Sequence, residues 1–123
     1  MSKKQNKTTL EEFTQRAIDF RDRRDWKQFH NPKNIAGSLV IEASELLELF
    51  QWIEGKDSEE FSKKKLQEVK DEMADVLVYL ATLAHDLDID LLEAAIEKIR
   101  KNDEKYPVEK AKGKATKYTE FKK

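Results

Sequence analysis

The chain has 123 residues, about one domain at the usual scale of roughly 100–200 residues each, which excludes two separate catalytic domains. Its 24 Lys and Arg against 25 Asp and Glu leave a formal net charge of −1, without the basic excess that draws proteins onto nucleic acid or anionic lipid, and no run approaches the ~18 apolar residues of a membrane span. Cysteine is absent, which removes disulfides, thiol catalysis and zinc–thiolate sites, and the basic start Met1 to Lys7 leads into no signal-like apolar run, so a soluble cytoplasmic protein is expected.

Three glycines and two prolines punctuate the chain, and no alternating strand pattern occurs, so the expected class is all-α, a four-helix-bundle subunit. The first helix opens on the capping pair Thr9 and Glu12 and carries Leu10, Phe13, Ala17 and Phe20, reaching Trp26. An aromatic loop, Trp26 to Pro32, follows, because Pro32 disfavours helical geometry at Asn31 and suits the first turn of the next helix. The second helix is expected from Lys33 to Ile53, near Gly55, with an inward stripe of Ile35, Leu39, position 42, Leu46, Leu49 and Ile53. Position 42 is a glutamate. The third helix is expected from Glu59 to Leu87, carrying Val69, Met73, Val76, Leu80, Leu83 and Leu87. Asp90 and Glu93 cap a fourth, with Leu91, Leu92, Ala95, Ile96 and Ile99, and Pro107 ends it. The expected organisation is a flexible N-terminus at 1–8, one helical domain at 9–107 and a lysine-rich tail at 108–123, mobile as an isolated segment.

Glu42, Glu45 and Glu48 stand at i, i+3 and i+6 on the second helix, and Glu68, Glu72 and Asp75 at i, i+4 and i+7 on the third. Packed antiparallel, these helices bring Glu42, Glu45, Glu72 and Asp75 together, where the acids repel and raise one another's pKa unless a cation lies between them. Oxygen donors without sulfur or imidazole point to Mg²⁺, or Mn²⁺ in its place, and to phosphate chemistry. In so charged a chain an acid pair is ordinarily a solvated face. Two features favour a metal site: Glu42 interrupts an apolar stripe, where an unpaired carboxylate is costly, and the pattern recurs on the third helix.

A di-iron or di-manganese bundle would need Glu-x-x-His pairs, and neither His30 nor His85 supplies one. His30, between Phe29 and a proline, suits loop packing as well as ligand contact. Trp52 follows Glu48 by one turn and Tyr79 follows Asp75 by one turn, so each acidic row leads to a ring that could stack on a base or simply fill the core. Lys98, Asn102 and Tyr106 share one face of the fourth helix, as a phosphate- and base-contacting stripe or a solvated one.

At these residues the sequence resembles the MazG-like all-α nucleoside triphosphate pyrophosphohydrolases, most closely the dCTP pyrophosphatase type. The E-x-x-E and E-x-x-D signature stands here as Glu42-x-x-Glu45 and Glu72-x-x-Asp75. Further similar segments are Arg24 to His30, Glu45 to Trp52, Asp75 to Leu80, Asn102 to Pro107 and Lys117 to Glu120, so that the likeness runs from Leu10 to Glu120.

The resemblance implies Mg²⁺-dependent cleavage of a nucleoside triphosphate between the α and β phosphates, releasing monophosphate and pyrophosphate. It implies Glu42, Glu45, Glu72 and Asp75 as metal ligands and catalytic residues. Trp26 through His30, including Phe29, would form the base and sugar pocket with Trp52, Tyr79 and Asn102, while Lys98 and the tail lysines would meet phosphate. Dimeric or tetrameric assembly, with pockets near subunit interfaces, is implied as well. One departure stands out: where dCTP-specific relatives carry a substrate-binding histidine on the first helix, this chain has Ala17. That leaves dCTP, a modified dCTP, dUTP and broad deoxynucleotide specificity open, though not the reaction; outside enzymes the alternative is a helical interaction module whose acids are merely solvated.

Overall fold

The computed structural model describes residues 7–121, which form two compact units dividing between Asp88 and Ile89. All but two residues of the expected flexible N-terminus lie outside the described range, as do the last two of the tail. The class is all-α as expected, with no strand among the described residues. Six α-helices occur among them rather than four, because the third expected helix is broken and the tail adds a short one.

In the first unit, α1 spans Leu10–Arg23. Thr9 caps it by accepting the Glu12 N–H at 3.1 Å, while Glu12 Oε1 accepts the Thr9 N–H at 2.9 Å, the reciprocal arrangement expected from the sequence. The helix does not reach Trp26. Asp25 takes a left-handed conformation, φ 56°, and the chain closes with Asp25 N–H on Asp22 O at 3.0 Å and Trp26 N–H on Arg21 O at 3.1 Å. This double bond pattern is the Schellman termination, completed by the edge-on contact of Trp26 with Phe20, ring centroids 5.8 Å apart. Phe20 is accordingly half-exposed, and Ile18 and Arg21 occupy the buried face in its place.

A 3₁₀ turn at Lys27–Phe29 leads to α2, Pro32–Phe50. Asn31 caps α2 by accepting the Asn34 N–H at 2.8 Å, with Pro32 at the first position. The helix ends three residues before Ile53, where Gln51 N–H turns back to Glu48 O and Ile53 N–H to Phe50 O. Its inward stripe is as expected: Ile35 is 1% exposed, and Leu39, Glu42, Leu46 and Leu49 are partly covered.

The expected third helix is two helices, α3 at Ser58–Lys64 and α4 at Leu66–Asp86, hinged at Lys65 with φ −108° and ψ 30°. Two local causes act there. Ser62 Oγ donates to Ser58 O and Glu59 O, a back-bond that bends helices. Lys65, one turn after Phe61 and one before Val69, also places an exposed charged side chain in the apolar stripe at the break. Phe61 packs edge-on to Phe50, centroids 5.7 Å apart.

α2 and α4 lie antiparallel: the Phe50–Phe61 contact marks one end of their seam and the approach of His30 to Tyr79, centroids 6.5 Å, the other. α4 also packs on α1, so the small core gathers Ile18, Ile35, Ala81 and Ala84 from three helices. Met73 is 56% exposed and Leu87 falls beyond the helix end, so both leave the stripe expected for them. Val40, Ile41 and Leu47 of α2 and Leu77 of α4 are exposed as well.

The second unit contains α5, Leu91–Lys105, capped by Asp90 accepting the Glu93 N–H at 3.0 Å, and α6, Val108–Ala111. Glu93 is thus the capped residue and not a second cap. The tail folds back on Tyr106, whose ring meets Tyr118 and Phe121 at 5.8 and 5.6 Å, with Lys105 over Tyr118 at 5.0 Å. Leu92, Ile96 and Ile99 of α5 are exposed. No helix among the described residues is long and apolar enough to cross a membrane.

Replacing Ile35 by alanine removes the most completely buried large side chain. An expected loss of about 3 kcal/mol is checked by urea denaturation.

Candidate functional site

The inward stripe of α2 carries Glu42 into the seam because leucines one turn on either side bury that face, and Glu45 follows at i+3. From α4, Glu72 meets them. One carboxylate oxygen of each lies within 4.8 Å of the other two. Glu42 Oε2 and Glu72 Oε2 are buried without a hydrogen-bond partner, a costly state for an acceptor-only group.

The electrostatics follow from that crowding. The Glu42 carboxyl is pushed up to about 7, first because a proton shared with Glu45 favours its neutral form, then by burial and by the charges of Glu45, Asp75 and Glu72. Burial raises Glu72 too, with the charges of Glu45, Asp75, Asp71 and Glu48 adding to it. Asp75 is exposed and lies outside the three-carboxylate cluster, yet its charge acts on both Glu42 and Glu72. Clustered oxygen donors that repel one another, two of them buried without a donor, suit a hard divalent cation.

The aromatic residues singled out from the sequence divide. His30 and Tyr79 come together at the end of the α2–α4 seam, and Trp26 joins Phe20 at the start of the same loop. Arg24 lies over the Phe20 ring at 3.7 Å. Phe29 is 62% exposed and Trp52, on the turn after α2, is 86% exposed. Lys98 and Asn102 belong to the second unit, both exposed on α5, where Asn102 O accepts the Tyr106 N–H at 2.8 Å.

Two charged residues escaped the sequence reading. Arg21, 4% exposed, donates from both terminal nitrogens to Asp86, at 2.8 and 3.1 Å, and approaches His30 Nδ1 at 3.4 Å. Arg21 stands one turn after Ala17, in the inward stripe of α1, as Glu42 does in α2. That position was a usable signal. Its partner lies 65 residues away and had none.

Residues 38–121 match the model of the MazG-like family. dCTP pyrophosphatase 1 of Mus musculus is 39% identical over 115 residues, a match spanning 92% of this chain and 68% of that protein. The Homo sapiens dCTP pyrophosphatase 1 is likewise 39% identical over 115 residues, with the same shares of 92% and 68%. Among solved structures, a pyrophosphatase from Archaeoglobus fulgidus DSM 4304 has a TM-score of 0.77 and 41% identity, covering 86% of this chain and 99% of that one.

A carboxyl whose pKa is raised on folding contributes stability that is fully present below its unfolded value and lost as pH rises through the folded one. For Glu42 the window runs from 4.5 to about 7. Glu42→Gln keeps the shape and removes the charge, so without divalent cations its Tm is expected to rise increasingly above that of the unaltered protein across this window. Thermal melts in EDTA at successive pH values measure the gap, and a gap independent of pH would contradict the assignment.

Proposed function

The chain belongs to the MazG-like family, of the dCTP pyrophosphatase type, and on that premise we propose that it is a metal-dependent nucleoside triphosphate pyrophosphohydrolase. The observation that supports this most directly is the Glu42–Glu45–Glu72 cluster, with its two buried, partnerless oxygens. The substrate is a deoxynucleoside triphosphate, dCTP or a modified dCTP in the first place, and the products are the monophosphate and pyrophosphate. The setting is the cytoplasm, where nucleotide pools are kept.

In this proposal Glu42, Glu45, Glu72 and Asp75 hold Mg²⁺, or Mn²⁺ in its place. When bound, the cation supplies positive charge that offsets the carboxylates and the triphosphate and stabilises the departing pyrophosphate. A water oxygen attacks the α-phosphorus, and the bond from that phosphorus to the oxygen bridging to the β phosphate breaks. Glu45 and Glu48 are the carboxylates near enough in sequence and charge to take the water's proton. Glu48 is the freer of the two, being exposed and outside the three-carboxylate cluster while its charge still reaches Glu72. No covalent intermediate on the protein is required.

In this proposal base and sugar are received by Trp26, Phe29, His30, Trp52 and Tyr79 of the first unit. Ala17 on α1 presents only a methyl group where the dCTP-specific relatives place a histidine, so the order of base preference is the variable part of the assignment. A homodimer or homotetramer is part of the same proposal. Val40, Ile41 and Leu47 on α2 and Leu92, Ile96 and Ile99 on α5 expose apolar side chains that a second copy would cover.

The test is incubation of each deoxynucleoside triphosphate, and 5-methyl-dCTP, with and without Mg²⁺, followed by chromatography of the products. Monophosphate and pyrophosphate are expected in the Mg²⁺ samples only. Asp75→Asn and Glu72→Gln are expected to lower turnover by at least ~100-fold with helicity unchanged. A fully active Asp75→Asn protein would remove Asp75 from the site. No product from any nucleotide, in folded protein, would favour a helical interaction module with a solvated acidic face.

A further inference from the structure

The loop from Trp26 to His30 is tied to one residue of α1 at both of its ends. The Arg21 carbonyl accepts the Arg24 N–H at 3.2 Å and the Trp26 N–H at 3.1 Å, which fixes where the loop leaves the helix. The Arg21 guanidinium meets the far end of the loop at His30 Nδ1, 3.4 Å away, while gripping both oxygens of Asp86, the last residue of α4. Lys27, in the middle of the loop, brings its amino group to 3.8 Å from the same Asp86 carboxylate. The side chains of Arg21 and Asp86 are only 5% and 9% exposed, so water competes weakly for these contacts.

The chemistry of this contact has one direction. A guanidinium offers donors only and keeps its charge at any working pH, so in the Arg21–His30 contact Nδ1 is the acceptor. A ring that accepts at Nδ1 carries its proton on Nε2. We propose that Arg21 and Asp86 are positioning residues that hold His30 in the Nε2–H form, leaving that N–H as the ring's donor to an oxygen of the bound nucleotide. The nucleotide part depends on the functional reading above; the state of the ring does not.

The groups around the imidazole agree with this. Burial comes first in holding His30 below the usual histidine value, followed by the Arg21 charge, with Lys27 acting the same way and Asp86 opposing. Burial works to raise Asp86, but the hydrogen bonds and charge of Arg21, with Lys27 and His85, hold it below its ordinary value as an ionised partner. Asp22 also meets Arg21, its Oδ1 lying 3.4 Å from Nε, on the exposed side.

The test combines spectroscopy of the free protein with kinetics. In ¹⁵N-labelled protein near neutral pH, long-range proton–nitrogen correlations of the imidazoles, assigned with a His85→Asn variant, are expected to show His30 with a bare Nδ1 and a protonated Nε2. A protonated Nδ1, or the tautomer mixture of free imidazole, would overturn the proposal. Removing one partner alone strands a buried charge and threatens folding, so the variant is Arg21→Met with Asp86→Leu, which replaces the pair by packed apolar groups. With the fold retained by circular dichroism, the ring is expected to return to a tautomer mixture. KM for the preferred triphosphate should then rise roughly tenfold, because the ring loses its fixed orientation as well as its fixed tautomer, with kcat changing by less than about twofold.

An unchanged KM and an unchanged ring state in that folded variant would make the pair structural only and would overturn the positioning role. Adding His30→Ala to the double variant is expected to raise KM no further; a full additional increase would show that the pair acts elsewhere. Absence of turnover by the unaltered protein would instead sink the functional reading, and with it the nucleotide contact, while the ring measurement still tests how His30 is held.

Discussion

Glu42, Glu45 and Glu72 meet in a seam that apolar side chains close, and the energetics of the first unit depend on that conflict. Leucines one turn before and after Glu42 bury their face of α2 whether or not the glutamate is content there. The result is a set of carboxylates held close by forces that do not act on the carboxylates themselves. A proton relieves the strain, which is why Glu42 binds one up to about pH 7. A divalent cation, as proposed for this cluster, would relieve it without protonation. Cation binding and stability would therefore be coupled at this seam.

Arg21 and Asp86 show the opposite use of buried charge. Here the partners are opposite in sign and bidentate, and the hydrogen bonds that satisfy them also reach the loop from Trp26 to His30. Such a pair adds little net stability over apolar packing, because desolvation offsets most of its attraction. What it does add is geometry. The left-handed Asp25, the Trp26–Phe20 contact and the guanidinium together set where the aromatic loop leaves α1 and where it ends beside Tyr79.

The break at Lys65 has a related role. It separates α3, whose Phe61 meets Phe50 at one end of the α2–α4 seam, from α4. Bending at the Ser62 back-bonds lets α3 cover the end of α2 while α4 runs antiparallel along it. The antiparallel packing of α4 on α2 places Glu72 beside Glu42 and Glu45. In the second unit, by contrast, α5 turns Leu92, Ile96 and Ile99 outward, and its aromatic packing is local, around Tyr106.

Local chemistry determined much of this from sequence alone. The capping pair Thr9–Glu12, the Asn31–Pro32 start of α2, the Asp90 cap and the inward stripe through Glu42 all act within one or two helical turns, so neighbouring residues suffice to read them. The acids at i and i+3 were legible for the same reason, and their order along the chain carried the family resemblance. Tertiary structure decided what depends on partners far along the chain. It withdrew Met73 from the core and brought Asp86 to Arg21 across 65 residues, and it placed Asp75 outside the cluster that Glu72 joins. Even the end of α1 before Trp26 needed φ 56° at an aspartate, which has no mandatory sequence signature. Helical periodicity specifies which face a residue occupies, but only packing specifies what that face meets, because burial and charge pairing are properties of two surfaces together.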